Sequence, residues 1–246
     1  MLKTIHVNGV PYVCGRKKGL TRPGSIFPWF YPANKRWTFN DVDAIRAAAK
    51  TMRPIYAAVE DILGNDKYGD CTCAAALKIQ AIFDCASGRT DRSPSLDDAL
   101  WLYSQITRPP FDPQTGANDN GADLQTVLSF WKNNGVYSDG TGRIKAAYAV
   151  DATNKSEVIA ALNQYGMLYA GCDLPKAWEQ ITGTGFTWGM DGPPDPNAGH
   201  CTYIYGHNDV GVFDGTWGME GTIPWDALAY YFGAKNGGEL FAVAAA

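Results

Sequence analysis

The chain has 246 residues, of which 46% are apolar and 13% aromatic, and a formal net charge of −4. That much large apolar surface argues for a packed core and against disorder. The mild acidity offers no electrostatic footprint for a polyanion, which speaks against nucleic-acid binding. No run of 18 apolar residues is present to span a membrane. The opening MLKTIHVNGVPYVCGRKKGL lacks the apolar stretch of a secretory leader, which leaves the compartment open, with the cytoplasm one possibility. Six cysteines are too sparse for a disulfide scaffold and read mostly as small buried hydrophobes. Cys71-Thr-Cys73 lacks the spacing of a zinc knuckle, and neither a metal nor a cofactor is expected.

Residues 1–40 read as an arm. Thr4–Val7 and Pro11–Cys14 are strand-like and flank Asn8-Gly9, a hairpin turn signal. Arg16-Lys17-Lys18 reads as a solvated basic run, and the aromatic stretch SIFPWFYPANKRW as a segment lying over a surface. Asn40 caps an expected helix, DVDAIRAAAKTM, that stops before Pro54. The best-marked helix is CTCAAALKIQAIFDCASG from Cys71, with apolar residues at helical spacing and Gly88 as its stop. A polar loop, Gly64 to Asp70, leads into it. SLDDALWLYSQIT carries a capping pair, Ser95 and Asp98. A loop rich in turn residues follows, and then a helix ending on Gly135. Asp112, Asn118, Asp119, Asn120 and Asp123 lie in or beside that loop without calcium-loop spacing and read as turn chemistry.

The second half changes character. RIKAAYAV reads as a strand, and Ser156 as the cap of a short helix. MLYAGCDL, CTYIYGH, DVGVFDGTW and GELFAVAAA read as strands, with a long Gly- and Pro-rich loop before His200. Helices first and antiparallel strands second make an α+β protein. The expected division is an arm (1–40) and one domain (41–246), helical to about residue 137 and β-rich from about 138. A cleft is expected between the halves.

Only three histidines are available for imidazole chemistry: His6, His200 and His207. Cys71 opens a predicted helix, where free N–H groups and the helix dipole favour a thiolate. A thiol enzyme also needs a base from a distant, rigid element. His200, where a loop gives way to a strand, fits best. His207 sits in a turn and His6 in the arm. Asp214 on the neighbouring strand is the candidate to orient the imidazole. Cys73 lies about 200° from Cys71 on a helical wheel, so the two cannot face one cleft.

These residues resemble the papain-like cysteine peptidases. The likeness rests on Gly69-Asp70-Cys71, the segment Ala160 to Gly171, Gly199-His200 and Thr216-Trp217-Gly218, across roughly residues 60–218. It implies a papain-like fold: a helical N-terminal subdomain packed on an antiparallel sheet or barrel. It also implies a Cys71 nucleophile, a His200 base, an oxyanion amide six residues before the nucleophile at Asn65, and Trp217 shielding the histidine. Where that family places an asparagine this chain has Gly215, with Asp214 one residue earlier. Three alternatives stand: a bulge restores Asp214, a Cys–His dyad suffices, or catalysis is lost. LGNDKYGDCTCAA, FDPQTGANDNGAD and GHCTYIYGH are similar to papain-like proteins encoded in bacterial and bacteriophage genomes, which adds a virion location to the possibilities. Two functions follow as expectations. One is a thiol hydrolase acting on a peptide or a cell-wall amide crosslink. The other is a structural or binding component docking a protein partner through residues 22–37.

Overall fold

A computed structural model describes residues 2–7, 10–18, 62–89, 93–180 and 183–246. The expected helix after Asn40, the aromatic stretch 22–37 and the Asn8-Gly9 turn lie outside these residues.

The class is mixed α+β. Strands β1 (Lys3–Val7) and β2 (Val10–Cys14) pair antiparallel as a hairpin, with Val7 opposite Val10. β3 (Arg16–Lys17) runs parallel to β4 (Ala122–Asp123). The helices are α1 (Cys71–Ala86), α2 (Leu96–Ile106), α3 (Leu124–Asn134), α4 (Lys155–Tyr165) and α5 (Trp225–Tyr231). β5 (Ile144–Ala149), β6 (Leu168–Pro175), β7 (Phe186–Thr187), β8 (Pro194–His207), β9 (Gly211–Thr216), β10 (Met219–Pro224) and β11 (Glu239–Ala245) form one sheet. Its order is β5-β11-β6-β8-β9-β10-β7, antiparallel except where β10 meets β7.

The sheet is covered on both faces, and strand alternation sorts its side chains between two cores. Tyr169, Cys201, Phe241 and Val243 join α1, α2 and α3 on one side. Leu168, Ala170, Cys172, Ile204 and Leu240 join α4, α5 and the N-terminal hairpin on the other. α1 lies deepest, with every residue from Cys71 to Asp84 buried. Its alanines suit a helix pressed between neighbours, and the Tyr169 hydroxyl donates to the Thr72 carbonyl at 2.8 Å, pinning its first turn to β6.

The capping box of α2 forms between Ser95 and Asp98. α3 is capped by Asp123, whose side chain accepts from the Thr126 N–H. α4 is capped by Asn154 rather than Ser156, because the Asn154 carboxamide oxygen reaches the Glu157 N–H. β8 is longer than its sequence suggests. It takes in Pro194 to Gly199 from the expected loop, with a register break against β6 between Asp173 and Pro175.

The basic run near the N-terminus is only partly solvated. Arg16 is buried; its guanidinium pairs with Asp173 at 3.1 Å and Glu239 at 2.7 Å and donates to the Gly237 carbonyl. Lys18 stays exposed but also reaches Asp173. β3 is thereby stitched to β6 and to β11. Just before it, Gly15 crosses Gly69 so closely that a Cβ on Gly15 would lie 1.9 Å from the Gly69 carbonyl oxygen. Only glycine permits that crossing.

Candidate functional site

Cys71 is the first residue of α1, and the preceding loop from Gly64 to Asp70 delivers it to the sheet. Cys71, Ala74, Ala75 and Lys78 project from one face of α1 into a small cavity whose opposite wall includes His200 and Trp217. This is the i, i+3, i+4, i+7 spacing of one helix face. The cavity holds about 10 Å³, room for roughly one water molecule. Cys71 and His200 are each only 1% exposed. As described, the site is closed.

His200 is fixed by two contacts. Its ring stacks on the Trp217 indole, with centroids 4.1 Å apart and planes 26° apart. Its Nε2 lies 2.6 Å from the Thr216 hydroxyl, while its Nδ1 has no hydrogen-bond partner. With Nε2–H donating to Thr216, Nδ1 is a lone pair. Trp217 holds its position through an unusual backbone. It has φ of +47° at the tip of the β9–β10 hairpin, followed by Gly218 at +71°. A bulky residue with positive φ is strained, and such strain collects at working sites.

Asp214 does not make the expected contact with His200. The register sets Asp214 opposite Ile204. It therefore shares the face of Thr216 but lies two residues, roughly 7 Å, further along β9. Thr216 is the nearer group and shares a hydrogen bond with the imidazole. The irregularity in β8 falls between Ile204 and Gly206, beyond Asp214 as seen from the histidine, so it does not bring the carboxylate back. Both Asp214 carboxylate oxygens are buried without a hydrogen-bond partner. Burial pushes this carboxyl up to about 7, with the Thr202 hydroxyl pulling the other way.

Asn65 sits at the rim with its carboxamide fully engaged. Its Nδ2 donates to the carbonyls of Val13 at 2.9 Å and Tyr68 at 3.1 Å, and its Oδ1 accepts from Trp217 Nε1 at 2.7 Å. Here it clamps the N-terminal hairpin to the indole that covers His200. Tyr12 of β2 adds a ring contact with Trp217 at 4.9 Å. Both N–H hydrogens are spent, so an oxyanion role requires release of one carbonyl.

Burial dominates the electrostatics of both groups. Burial pushes the Cys71 thiol up to about 12; the Gly15 and Cys201 N–H groups and Arg16 act against this, and Asp70 adds to it. Burial pulls His200 down to about 3, helped by the positive charges of Lys78 and Arg16. Burial thus favours a neutral thiol and a neutral imidazole on the walls of one cavity. Asp70, which sequence reasoning passed over, is buried just before Cys71; burial raises it well above its usual range, with its own backbone N–H and Asn65 pulling the other way. Lys78 was likewise missed; its signal was a lysine seven residues after Cys71 on an otherwise apolar helix face.

The remaining candidates do other work. Cys73 is buried in the helical core and does not line the cavity. His207 lies at the end of β8 and His6 is exposed on β1. Asp112 orders its own turn, Asp119 accepts from the Gly69 N–H and the Tyr103 hydroxyl, and Asp123 caps α3.

No family profile and no curated protein sequence matches the chain. Among solved structures, it is similar to xylellain, a cysteine protease from Xylella fastidiosa, at 13% identity and a TM-score of 0.49, over 73% of this chain and 80% of that one. It is similar to digestive procathepsin L2 proteinase from the larval midgut of Tenebrio molitor, at 11% identity and a TM-score of 0.49, over 87% and 69% of the two chains. Procathepsin L3 of the same tissue matches at 11% identity and 0.46, over 72% and 64%.

Proposed function

We propose that the chain is a papain-like thiol hydrolase that cleaves an amide, in a peptide or a cell-wall crosslink, with Cys71 as nucleophile and His200 as base. One observation carries the reading: a cysteine opening a buried helix and a histidine held by Trp217 and Thr216 line the same cavity. The Cys71 sulfur attacks the carbonyl carbon as its proton passes to His200 Nδ1. The tetrahedral oxyanion is held by the Cys71 backbone N–H at the start of α1, with Asn65 joining when Val13 withdraws. The imidazolium protonates the departing amine, and water then hydrolyses the thioester by the same route in reverse. His200 keeps its orientation through Thr216 and Trp217. Catalysis requires an opening that admits substrate.

The test is hydrolysis of fluorogenic peptide and peptidoglycan-derived substrates by the purified chain. Cys71→Ala should abolish turnover while leaving the circular dichroism spectrum and melting curve unchanged. Full activity in that variant overturns the mechanism.

Closure of the cavity favours a second reading, in which the fold serves as a binding component and performs no chemistry. Residues 22–37 would then dock a protein partner, and association with a virion rests on the three sequence strings alone. Absence of any Cys71-dependent hydrolysis, together with a stable complex lost on deleting residues 22–37, would decide for it.

A further inference from the structure

On the face of the sheet that carries His200, four polar side chains alternate between two strands. His200 and Thr202 stand on β8, and Thr216 and Asp214 on β9. Tyr203 is opposite Gly215 and Ile204 opposite Asp214, so the same register, continued by one residue, sets Thr202 opposite Thr216. His200 and Thr216 stand in the diagonal relation of this register, and that diagonal closes to a 2.6 Å hydrogen bond. Thr202 and Asp214 stand in the same diagonal relation one step along. All four are buried: Thr202 is 1% exposed and Asp214 0%. The Thr202 hydroxyl and both Asp214 oxygens have no hydrogen-bond partner. The Thr202 hydroxyl nonetheless acts on the Asp214 carboxyl and lowers it, and a buried hydroxyl and carboxylate so placed favour a shared hydrogen bond.

We propose that Asp214 is a positioning residue that sets the tautomer of His200 through the hydroxyls of Thr202 and Thr216. The inference rests on the reading of His200 as the base. An ionised carboxylate only accepts hydrogen bonds. In the proposed relay the Thr202 hydroxyl turns toward the carboxylate, and the Thr202 oxygen, opposite Thr216 in the register, is then free to accept from Thr216. The Thr216 oxygen in turn accepts from His200 Nε2–H. The proton of the neutral imidazole is then fixed on Nε2, and Nδ1 is left bare to take the thiol proton. Protonation of Asp214 gives it a donor and allows the order to reverse, which moves the imidazole proton to Nδ1 and blocks the base. Burial already places that carboxyl at about 7, so the reversal falls near neutral pH. Cys172 on β6 is a titratable neighbour, its thiol raised mainly by burial and further by Asp214. On β10 the residue opposite Asp214 is Gly221, which carries no charge. Lys78 of α1 and Arg16 of β3 act on the imidazole and stay constant across the variants below.

Two readouts test this on the full chain. In 15N-histidine spectra, assigned with His200→Gln, wild type at pH 8 should show His200 as the Nε2–H tautomer. Thr202→Val and Asp214→Asn should show a mixture of tautomers, and Thr202→Ser should restore the wild-type pattern. In hydrolysis, kcat should fall roughly tenfold or more in Thr202→Val and in Asp214→Asn with KM unchanged. The double variant should be no worse than either single one, and the acid limb near pH 7 should vanish in Asp214→Asn. An unchanged tautomer in both single variants overturns the proposal, as do additive losses. The tautomer is read without turnover, so its outcome stands apart from failure of the hydrolase reading, which Cys71→Ala tests alone.

Discussion

Asp214 has a cost that can be read without any substrate. Its carboxyl moves from 3.8 to about 7 on folding. Between those values the folded chain holds a proton that the unfolded chain has released. Stability from this group is therefore present at low pH and lost as pH rises through 7. His200 runs the other way: with its folded value near 3, its contribution is full above the unfolded 6.5 and is lost as pH falls below that. Replacing Asp214 with the neutral isostere asparagine isolates one of the two. Relative to wild type, Asp214→Asn should gain up to about 4 kcal/mol between pH 4 and pH 8. Urea unfolding at the two pH values checks this, and a pH-independent difference would refute it. A variant that is steadier but slower is the pattern expected where a strained buried charge serves a site. Sequence pointed to Asp214 but not to its neighbour. Residues 214 and 216 share a strand face, so Thr216 had to lie between the carboxylate and the histidine. Counting outward from Gly215 concealed that. Asn65 was legible by position and not by partners, because its bonds go to Val13, Tyr68 and Trp217, two of them remote in sequence.

Among the elements, those with local signals were the ones sequence could read. The Ser95–Asp98 box, the helix from Cys71 and the hairpin around Asn8-Gly9 are written within a few residues. α5 was missed because Trp225 to Tyr231 is short and its N-cap is Pro224, which makes no side-chain cap. The first half of β8 was missed because Pro194 and Pro196 argue against a central strand. β3 was missed because its two residues owe their pairing to Ala122 and Asp123 and their place to Arg16. That arginine supplies the element-scale prediction. Arg16→Met would strand Asp173 and Glu239 with little compensation, Lys18 reaching only the first. Removing one partner of a buried ion network costs about 3–5 kcal/mol. Arg16→Met should lose that much in chemical unfolding, and the triple change Arg16→Met, Asp173→Asn, Glu239→Gln should recover most of it. Equal losses in both would show that packing, not charge, holds β3.

At the scale of the whole molecule, the α+β class followed from helical and alternating periods, but the layering did not. Helices cover both faces of the sheet, and nothing in a linear pattern tells a strand which helix will lie against it. The site belongs to this layered arrangement, since α1, β8, the β9–β10 turn and the N-terminal hairpin meet around Cys71. Its closure has a measurable result. Thiolates react with alkylating agents, and Cys71 combines 1% exposure with a thiol near 12. Iodoacetamide at pH 7.5 should modify the half-buried Cys85 before Cys71, as read by peptide mapping over time. Faster labelling of Cys71 would mean that an open form dominates in solution.

The Arg16–Glu239 pair also bears on how the chain comes to be folded. Its members stand 223 residues apart. At synthesis rates of about 5–20 residues per second, the arginine waits on the order of 10–45 s for its partner to leave the ribosome. During that interval Asp173, made earlier, is the carboxylate at hand to offset the arginine's charge, and the full network waits for β11. β3, made well before β11, thus completes its ion network late, and contacts of such long range make for slow folding.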